Sequence, residues 1–290
     1  MRGREIMCAF WEGRGMALHV VTYDGSSWSG PLSVLPSTIE LNTTPALAAF
    51  EEDVYCLHRI ANKDPHLIGA VFDGTRWNHD AFVAVNSMVL TPAAVVRGEA
   101  LYAIFQGCQS PGQLRVWRKA AGKEWEAPPL ETRDGHVAGS PAAATLGATI
   151  HVVYAGGSGA RPDGTLRWRM LIGREWSAEQ QIATTGGATP SVAAFGGQLY
   201  VFRPEAGSGR QLCCAVFEAE GRWSDAPVPP TSGGAQGGSA AVAYGNRLYL
   251  LYRTTANQLA VATFDGREWS APPQPSPAIS LSAEPAATVY

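Results

Sequence analysis

Six times along the chain a glycine-bearing turn leads into a tryptophan: "DGSSWSGP" from Asp24, "DGTRWNHD" from Asp73, "GKEWEAPP" from Gly122, "GREWSAEQ" from Gly173, "EGRWSDAP" from Glu220 and "DGREWSAPP" from Asp265. The tryptophans are Trp28, Trp77, Trp125, Trp176, Trp223 and Trp269. They recur about every 46 to 51 residues, between the WD40 and kelch lengths, which is a propeller period. Each unit also reads alike: a Thr/Ser-Pro step, an Ala-rich apolar strand, a tight turn, a strand with Leu-Tyr, a variable loop, an alternating strand, then the glycine turn and Trp. Residues 44–77 and 189–223 show it best. Four strands per unit make one propeller blade.

The repeat assigns roles by size. Ala46, Ala48, Ala93, Ala142, Ala144, Ala193, Ala241 and Ala243 fall in the first strand of their units, where crowding around an axis excludes larger side chains. The tryptophans are expected to wedge between neighbouring blades, and the glycines to supply the positive φ of a hairpin turn. The two ends complement each other. "EIMCAFW" near the start aligns with second strands, whereas the closing "SAEPAATVY" aligns with a first strand and has no continuation. The expected fold is therefore all-β: a six-bladed β-propeller of four-stranded antiparallel blades, formed by residues 1–290 as a single domain. The C-terminal strand closes the ring by joining the N-terminal blade, which leaves no open inner edge.

Composition agrees. The 290 residues are 46% hydrophobic, enough for a sizeable core, and 32 Gly with 20 Pro supply turns. Charged residues are only 16% and the net charge is −3, with Lys and Arg scattered. No basic footprint for nucleic acid or an anionic membrane results, and no apolar run is long enough to insert in a bilayer. No signal-like apolar stretch opens the chain, so it reads as cytoplasmic as given, or as secreted after loss of a signal. The Ala, Gly, Pro and Arg bias suggests a bacterial coding sequence. Five cysteines, Cys8, Cys56, Cys108, Cys213 and Cys214, lack zinc spacing and read as reduced thiols. No metal or other cofactor is expected.

In this strand order one rim carries short regular turns and the other the variable loops, where a site is expected. The ends of second strands bring Trp11 and Glu12, His58 and Arg59, Gln106, Arg203 and Glu205, and Arg253 to that rim. The mouths of first strands bring Thr44, Thr91, Ser140, Thr189, Ser239 and, as the exception, Glu284. Ring closure puts Glu284 in the blade of Trp11, flanked by those of Arg59 and Arg253. A carboxylate, guanidinium groups and an indole are thereby expected near the axial mouth, with a structural ion pair as the competing reading. His58 has the chemistry of a general base, but its counterparts Phe10, Phe105, Tyr154, Arg203 and Tyr252 mark a mostly aromatic slot, which favours ordinary burial.

The pattern "SPAAAxFGxxLYVxYR…LxxAxFDGxxWS" resembles bacterial and fungal propeller lectins over all six units. It is most similar to the six-bladed fucose-binding lectins of the Aleuria type and, more distantly, to the Photorhabdus type. That resemblance implies sugar pockets between blades, with an Arg from a second strand, a Glu from the third strand and stacking aromatics. Arg59, Arg203 and Arg253 match the first role; the third strands "LHVVTY", "LIGAVF", "LRVWRK", "LRWRML", "LCCAVF" and "LAVATF" lack the Glu. The expected function is carbohydrate binding by a lectin-like propeller, with Trp11, Arg59, Arg203, Arg253 and Glu284 as ligand-binding candidates and a carbohydrate or other small molecule as partner. The alternative is a cyclase, lyase or isomerase with one axial pocket, in which Glu284 or His58 acts as base.

Overall fold

A computed structural model describes residues 5–12, 17–35, 44–59, 66–84, 90–108, 112–127, 130–132, 134–158, 161–184, 189–205, 211–218, 221–227, 229, 231, 234–271, 274–275 and 278–290. Every regular element among them is a β-strand, and the strands form six antiparallel sheets arranged in a ring. The chain is a six-bladed propeller, as the repeat implied.

Blade 1 joins the two ends of the sequence. Its strands are β1 (Ile6–Glu12), β2 (Ala17–Tyr23) and β3 (Leu32–Leu35), with β25 (Ala286–Val289) on the inner side of β1. Ile6 pairs with Val289 and Ala9 with Ala286, and the main chains of Glu5 and Tyr290 exchange hydrogen bonds of 3.2 and 2.9 Å. Blade 2 is β4 (Ala46–Phe50), β5 (Asp53–Arg59), β6 (Leu67–Phe72) and β7 (Trp77–Ala84); blade 3 is β8 (Ala93–Arg97), β9 (Ala100–Gln106), β10 (Leu114–Ala120) and β11 (Leu130–Glu131). Blade 5 is β17 (Ser191–Phe195), β18 (Gln198–Pro204), β19 (Leu212–Phe217) and β20 (Trp223–Ala226), and blade 6 is β21 (Ala235–Tyr244), β22 (Arg247–Thr254), β23 (Leu259–Phe264) and β24 (Trp269–Ser270).

Blade 4 departs from the others. After β12 (Ala142–Leu146), its second and third strands β13 (Thr149–Ser158) and β14 (Arg161–Ile172) run to 10 and 12 residues. Following the short β15 (Glu175–Trp176), a fifth strand β16 (Gln180–Thr184) returns to pair with β14.

The core is partitioned by interface. Six apolar clusters each draw on two adjacent blades, and each holds one repeat tryptophan, half-buried against it: Trp77 between blades 1 and 2, Trp125 between 2 and 3, Trp176 between 3 and 4, Trp223 between 4 and 5, Trp269 between 5 and 6, and Trp28 between 6 and 1. Trp269 shows the wedge best. Its ring packs edge-on to Phe202 of blade 5 at 5.8 Å while its indole N–H donates to the carbonyl of Pro227 at 3.0 Å. One ring thus contributes apolar contact and a cross-blade hydrogen bond.

The turn before each tryptophan has the predicted geometry. Gly25, Gly74, Gly122, Gly173, Gly221 and Gly266 all have positive φ, from 59 to 100°. In three of these turns an aspartate fixes the bend: Asp24, Asp73 and Asp265 each accept two backbone N–H groups within the next three residues at 2.8–2.9 Å. Those donors hold all three carboxyls below the usual aspartate range.

The turn between first and second strands uses glycine too, with one exception. Gly98, Gly147, Gly196 and Gly245 occupy it at φ 56–60°, but blade 2 has Glu51 at φ 56°. Its carboxylate accepts the N–H of Gly122 in blade 3 at 2.8 Å, an interblade bond that glycine could not make and that offsets the backbone strain.

Candidate functional site

First strands surround an axial cavity of about 140 Å³, with Thr44, Thr91, Thr189 and Glu284 at its mouth. Blade 6 shows a shift from the sequence expectation. Counting seven residues back from the turn glycine, Gly238 takes the position held by Thr91, Ser140 and Thr189 in other blades, and Ser239 lies one step deeper. Ser239 there shares a 2.8 Å hydrogen bond with Ser191. The reason lies opposite. Glu284 accepts the Thr44 hydroxyl at 3.2 Å and the Gly238 N–H at 3.3 Å, and a Cβ on Gly237 would stand 2.5 Å from its Oε1. The glycine pair makes room for the carboxylate, which ties blades 1, 2 and 6 together at the mouth.

Among the described residues, the walls of the axial cavity include none of Trp11, His58, Arg59, Arg203 or Arg253. Trp11 is buried to 3% exposure in the apolar cluster between blades 1 and 2. His58 is 1% exposed, with Nδ1 3.3 Å from the Cys56 carbonyl. Arg59 and Arg203 are half-buried at the ends of their strands. Arg253 donates to the Ser282 carbonyl at 2.9 Å, bracing the segment that leads into Glu284. Much of the variable-loop rim (residues 60–65, 109–111, 159–160 and 206–210), and with it the expectation of a site built from those loops, lies outside the described residues.

A more developed polar site lies between blades 3 and 4. It starts from Arg169 on β14, 3% exposed, where the register of the sister blades places Val21, Ala70, Trp117, Ala215 and Ala262, all uncharged. A guanidinium at a buried apolar position must find counter-charges, because an unpaired buried ion costs several kcal/mol. Asp134 Oδ1 lies 2.9 Å from its Nη2 and Glu179 Oε2 lies 3.6 Å away. Arg169 also donates through Nε to the Tyr154 hydroxyl at 3.0 Å, and Tyr154 in turn donates to Glu179 Oε2 at 2.7 Å. Arg167, two residues along β14, pairs with Glu179 and, at 2.8 Å, with Asp163; His136 Nδ1 stands 3.0 Å from Glu179 Oε1. The segment between β15 and β16 delivers Glu179, so the extra strand of blade 4 is what closes the network.

The electrostatics follow from this pairing. Burial alone would raise Glu179, but hydrogen bonds from Tyr154 and Arg167 and the charges of both arginines hold it below the ordinary glutamate range. The bond from Arg169 holds Asp134 low. Burial, reinforced by the bond to Glu179, pushes the Tyr154 phenol up. At neutral pH the network therefore has fixed donors and acceptors. Beside it opens a groove of about 540 Å³, where Asp134, Glu131, Arg169, Trp176 and Ser177 meet. Asp134 is 66% exposed, so its carboxylate stays open to solvent. An ionised carboxylate and guanidinium beside an indole suit a ligand with polar edges and an apolar face.

Sequence reasoning placed Trp176 in the scaffold and passed over Asp134, Arg169 and Glu179. A signal was present in "LRWRML", the one third strand with arginines at both alternate positions 167 and 169.

No protein-family model matches the sequence, and no curated protein matches it. Solved structures do. The fucose-specific lectin from Aleuria aurantia is 17% identical, with 94% of this chain and 92% of that one covered at a TM-score of 0.68. A mutant of the same lectin in complex with Fucalpha1-6GlcNAc is 16% identical, covering 96% and 94% at 0.66. A mutant of AofleA from Arthrobotrys oligospora is 13% identical, covering 99% and 90% at 0.69. The likeness is one of fold, the whole six-bladed ring.

Proposed function

We propose that this chain binds carbohydrate as a lectin-like propeller, and that the groove between blades 3 and 4 is its sugar site. The observation that carries the reading is the Asp134–Arg169 pair beside Trp176. A sugar offers vicinal hydroxyls that both donate and accept, and a patch of C–H groups on the ring face. Asp134, held ionised and in place by Arg169, accepts from a hydroxyl and Trp176 takes the C–H face; charge-assisted hydrogen bonds of this kind are about twice as strong as neutral ones. The ligands named for the similar solved lectins, fucosides, belong to this chemical class. Arg59, Arg203 and Arg253 remain candidates for further sites at the ends of second strands.

Titration calorimetry against a panel of monosaccharides tests the reading. Saturable binding of one sugar class is expected, weakened about tenfold or more by Asp134→Ala, the loss of one charge-assisted hydrogen bond. Silence across the panel, or binding untouched by Asp134→Ala and Trp176→Ala alike, refutes the assignment of the groove.

A further inference from the structure

Leu130 and Arg174 line the sugar groove and also a second cavity of about 400 Å³ between the same blades, opening toward the rim of short turns. Its apolar walls are Val116 and Leu171, buried in the core between blades 3 and 4, and the half-buried Leu130. Around these walls stand three arginines, Arg97, Arg118 and Arg174, and one carboxylate, Glu126. We propose that this cavity binds a small amphipathic anion, a carboxylate or sulfonate carried on an apolar body about the size of one or two rings.

The charge count carries the proposal. Arg118 pairs with Glu126, and Arg174 reaches the other oxygen of Glu126 only at 3.7 Å while remaining 71% exposed. Arg97 donates to the carbonyls of Leu171 and Gly173 at 2.9 and 2.8 Å and to the Tyr102 hydroxyl at 2.7 Å, with its guanidinium 4.8 Å from the centre of the Tyr102 ring. All these acceptors are neutral. They lock the guanidinium in place without cancelling its charge, so three positive groups face one negative. The cavity's size is that of a small-molecule site.

The scaffold does not call for these arginines. At the position of Arg97, before the turn, sister blades carry Phe50, Leu146, Phe195 and Tyr244; at that of Arg118 they carry Thr22, Val71, Met170, Val216 and Thr263, none of them charged. Two positions that are uncharged in the sister blades carry cations at this single interface, at a cost in desolvation that an anionic ligand would offset. An anion without an apolar body would leave the half-buried Leu130 side chain uncovered, and a neutral apolar body would leave the charge uncompensated.

The test uses the full chain and three probes: 2-naphthoate, its neutral counterpart 2-naphthalenemethanol, and inorganic phosphate. Calorimetry is expected to give one naphthoate site per chain, with the alcohol and phosphate each at least about tenfold weaker, since each lacks one of the two matched halves. Arg118→Gln with Arg174→Gln is expected to lower naphthoate affinity by a further factor of about ten or more. Should the double variant melt early because Glu126 loses its partner, the exposed Arg174→Gln alone decides, with a loss of several-fold. Asp134→Ala, in the sugar groove, leaves naphthoate binding intact, so the two sites fail or stand separately. Absence of saturable naphthoate binding overturns the proposal, as does equal affinity for the alcohol or for phosphate, or indifference to Arg174→Gln.

Discussion

Acidification from pH 7 to pH 4 should expose a stability cost that His151 alone imposes. Its ring on β13 is 3% exposed, stacks on Trp168 with centroids 5.7 Å apart, and accepts the Trp168 indole N–H at Nδ1 over 3.1 Å. An indole nitrogen only donates, so Nδ1 must carry a lone pair, and a second proton there would break the bond. Burial lowers the imidazole pKa from 6.5 to about 4. In the unfolded chain the same ring takes its proton near pH 6.5. Its contribution is therefore complete above pH 6.5, is lost as pH falls toward 4, and changes no further below that. Linkage between those two values gives a loss of about 2 kcal/mol at pH 5 and about 3 kcal/mol at pH 4. Urea unfolding of the parent and of His151→Phe at pH 7.5, 5 and 4 isolates the effect, because the depressed carboxyls that also lose stability in acid are common to both. His151→Phe leaves Trp168 without its acceptor, a fixed offset of about 1–3 kcal/mol at every pH. The gap between the two proteins should close, or invert, by about 3 kcal/mol between pH 7.5 and 4. Parallel curves would show that the ring is not held neutral, and the reasoning from burial would fall.

Gly266→Ala and Gly74→Ala, at φ 98 and 89°, should each cost about 1–3 kcal/mol in thermal or urea unfolding, Gly74→Ala more because its Cβ would stand 2.9 Å from the Tyr290 hydroxyl. Gly30→Ala, with open space around it, should cost next to nothing, and equal effects at all three would contradict the turn assignment. Of the five free cysteines, Cys8, Cys56 and Cys214 are buried, with thiols pushed up by burial, while Cys108 and Cys213 are half-buried. Iodoacetamide at pH 8 on the native protein should add at most two carbamidomethyl groups by mass; a third would mean that one of the buried thiols is reachable.

The scaffold was legible because it is written six times. A turn glycine, a tryptophan and a small first-strand residue each answer to a local rule, positive φ or interblade packing, and recur wherever the rule applies. Closure by β25 was legible for the same reason, as a first strand without a second at one end and the reverse at the other. The site was not, because it lies where the repeat is broken. Arg169 reads as an ordinary charge until the register shows that its sisters are uncharged and apolar, and Glu179 comes from a connection whose length only the fifth strand of blade 4 explains. Glu284 was visible as an exception among threonines, yet the glycines that accommodate it sit in another blade. Ring closure brought the two blades side by side, but the spacing did not show that this glycine pair makes the room.

The pairing of β1 with β25 also sets an order of events at synthesis. Ile6 and Ala9 emerge from the ribosome well over 200 residues ahead of their partners Val289 and Ala286. At about 5–20 residues per second the inner edge of β1, a strand buried at every position but its last, stays without its partner for tens of seconds. Blades 2 to 6 can assemble in that time, each from contiguous sequence, but the ring cannot shut. The nascent chain therefore passes through an open, five-blade arc carrying an apolar strand edge. That stage is where this protein is most exposed to self-association and most dependent on a holding factor, and a slow final folding step is the kinetic signature it should leave.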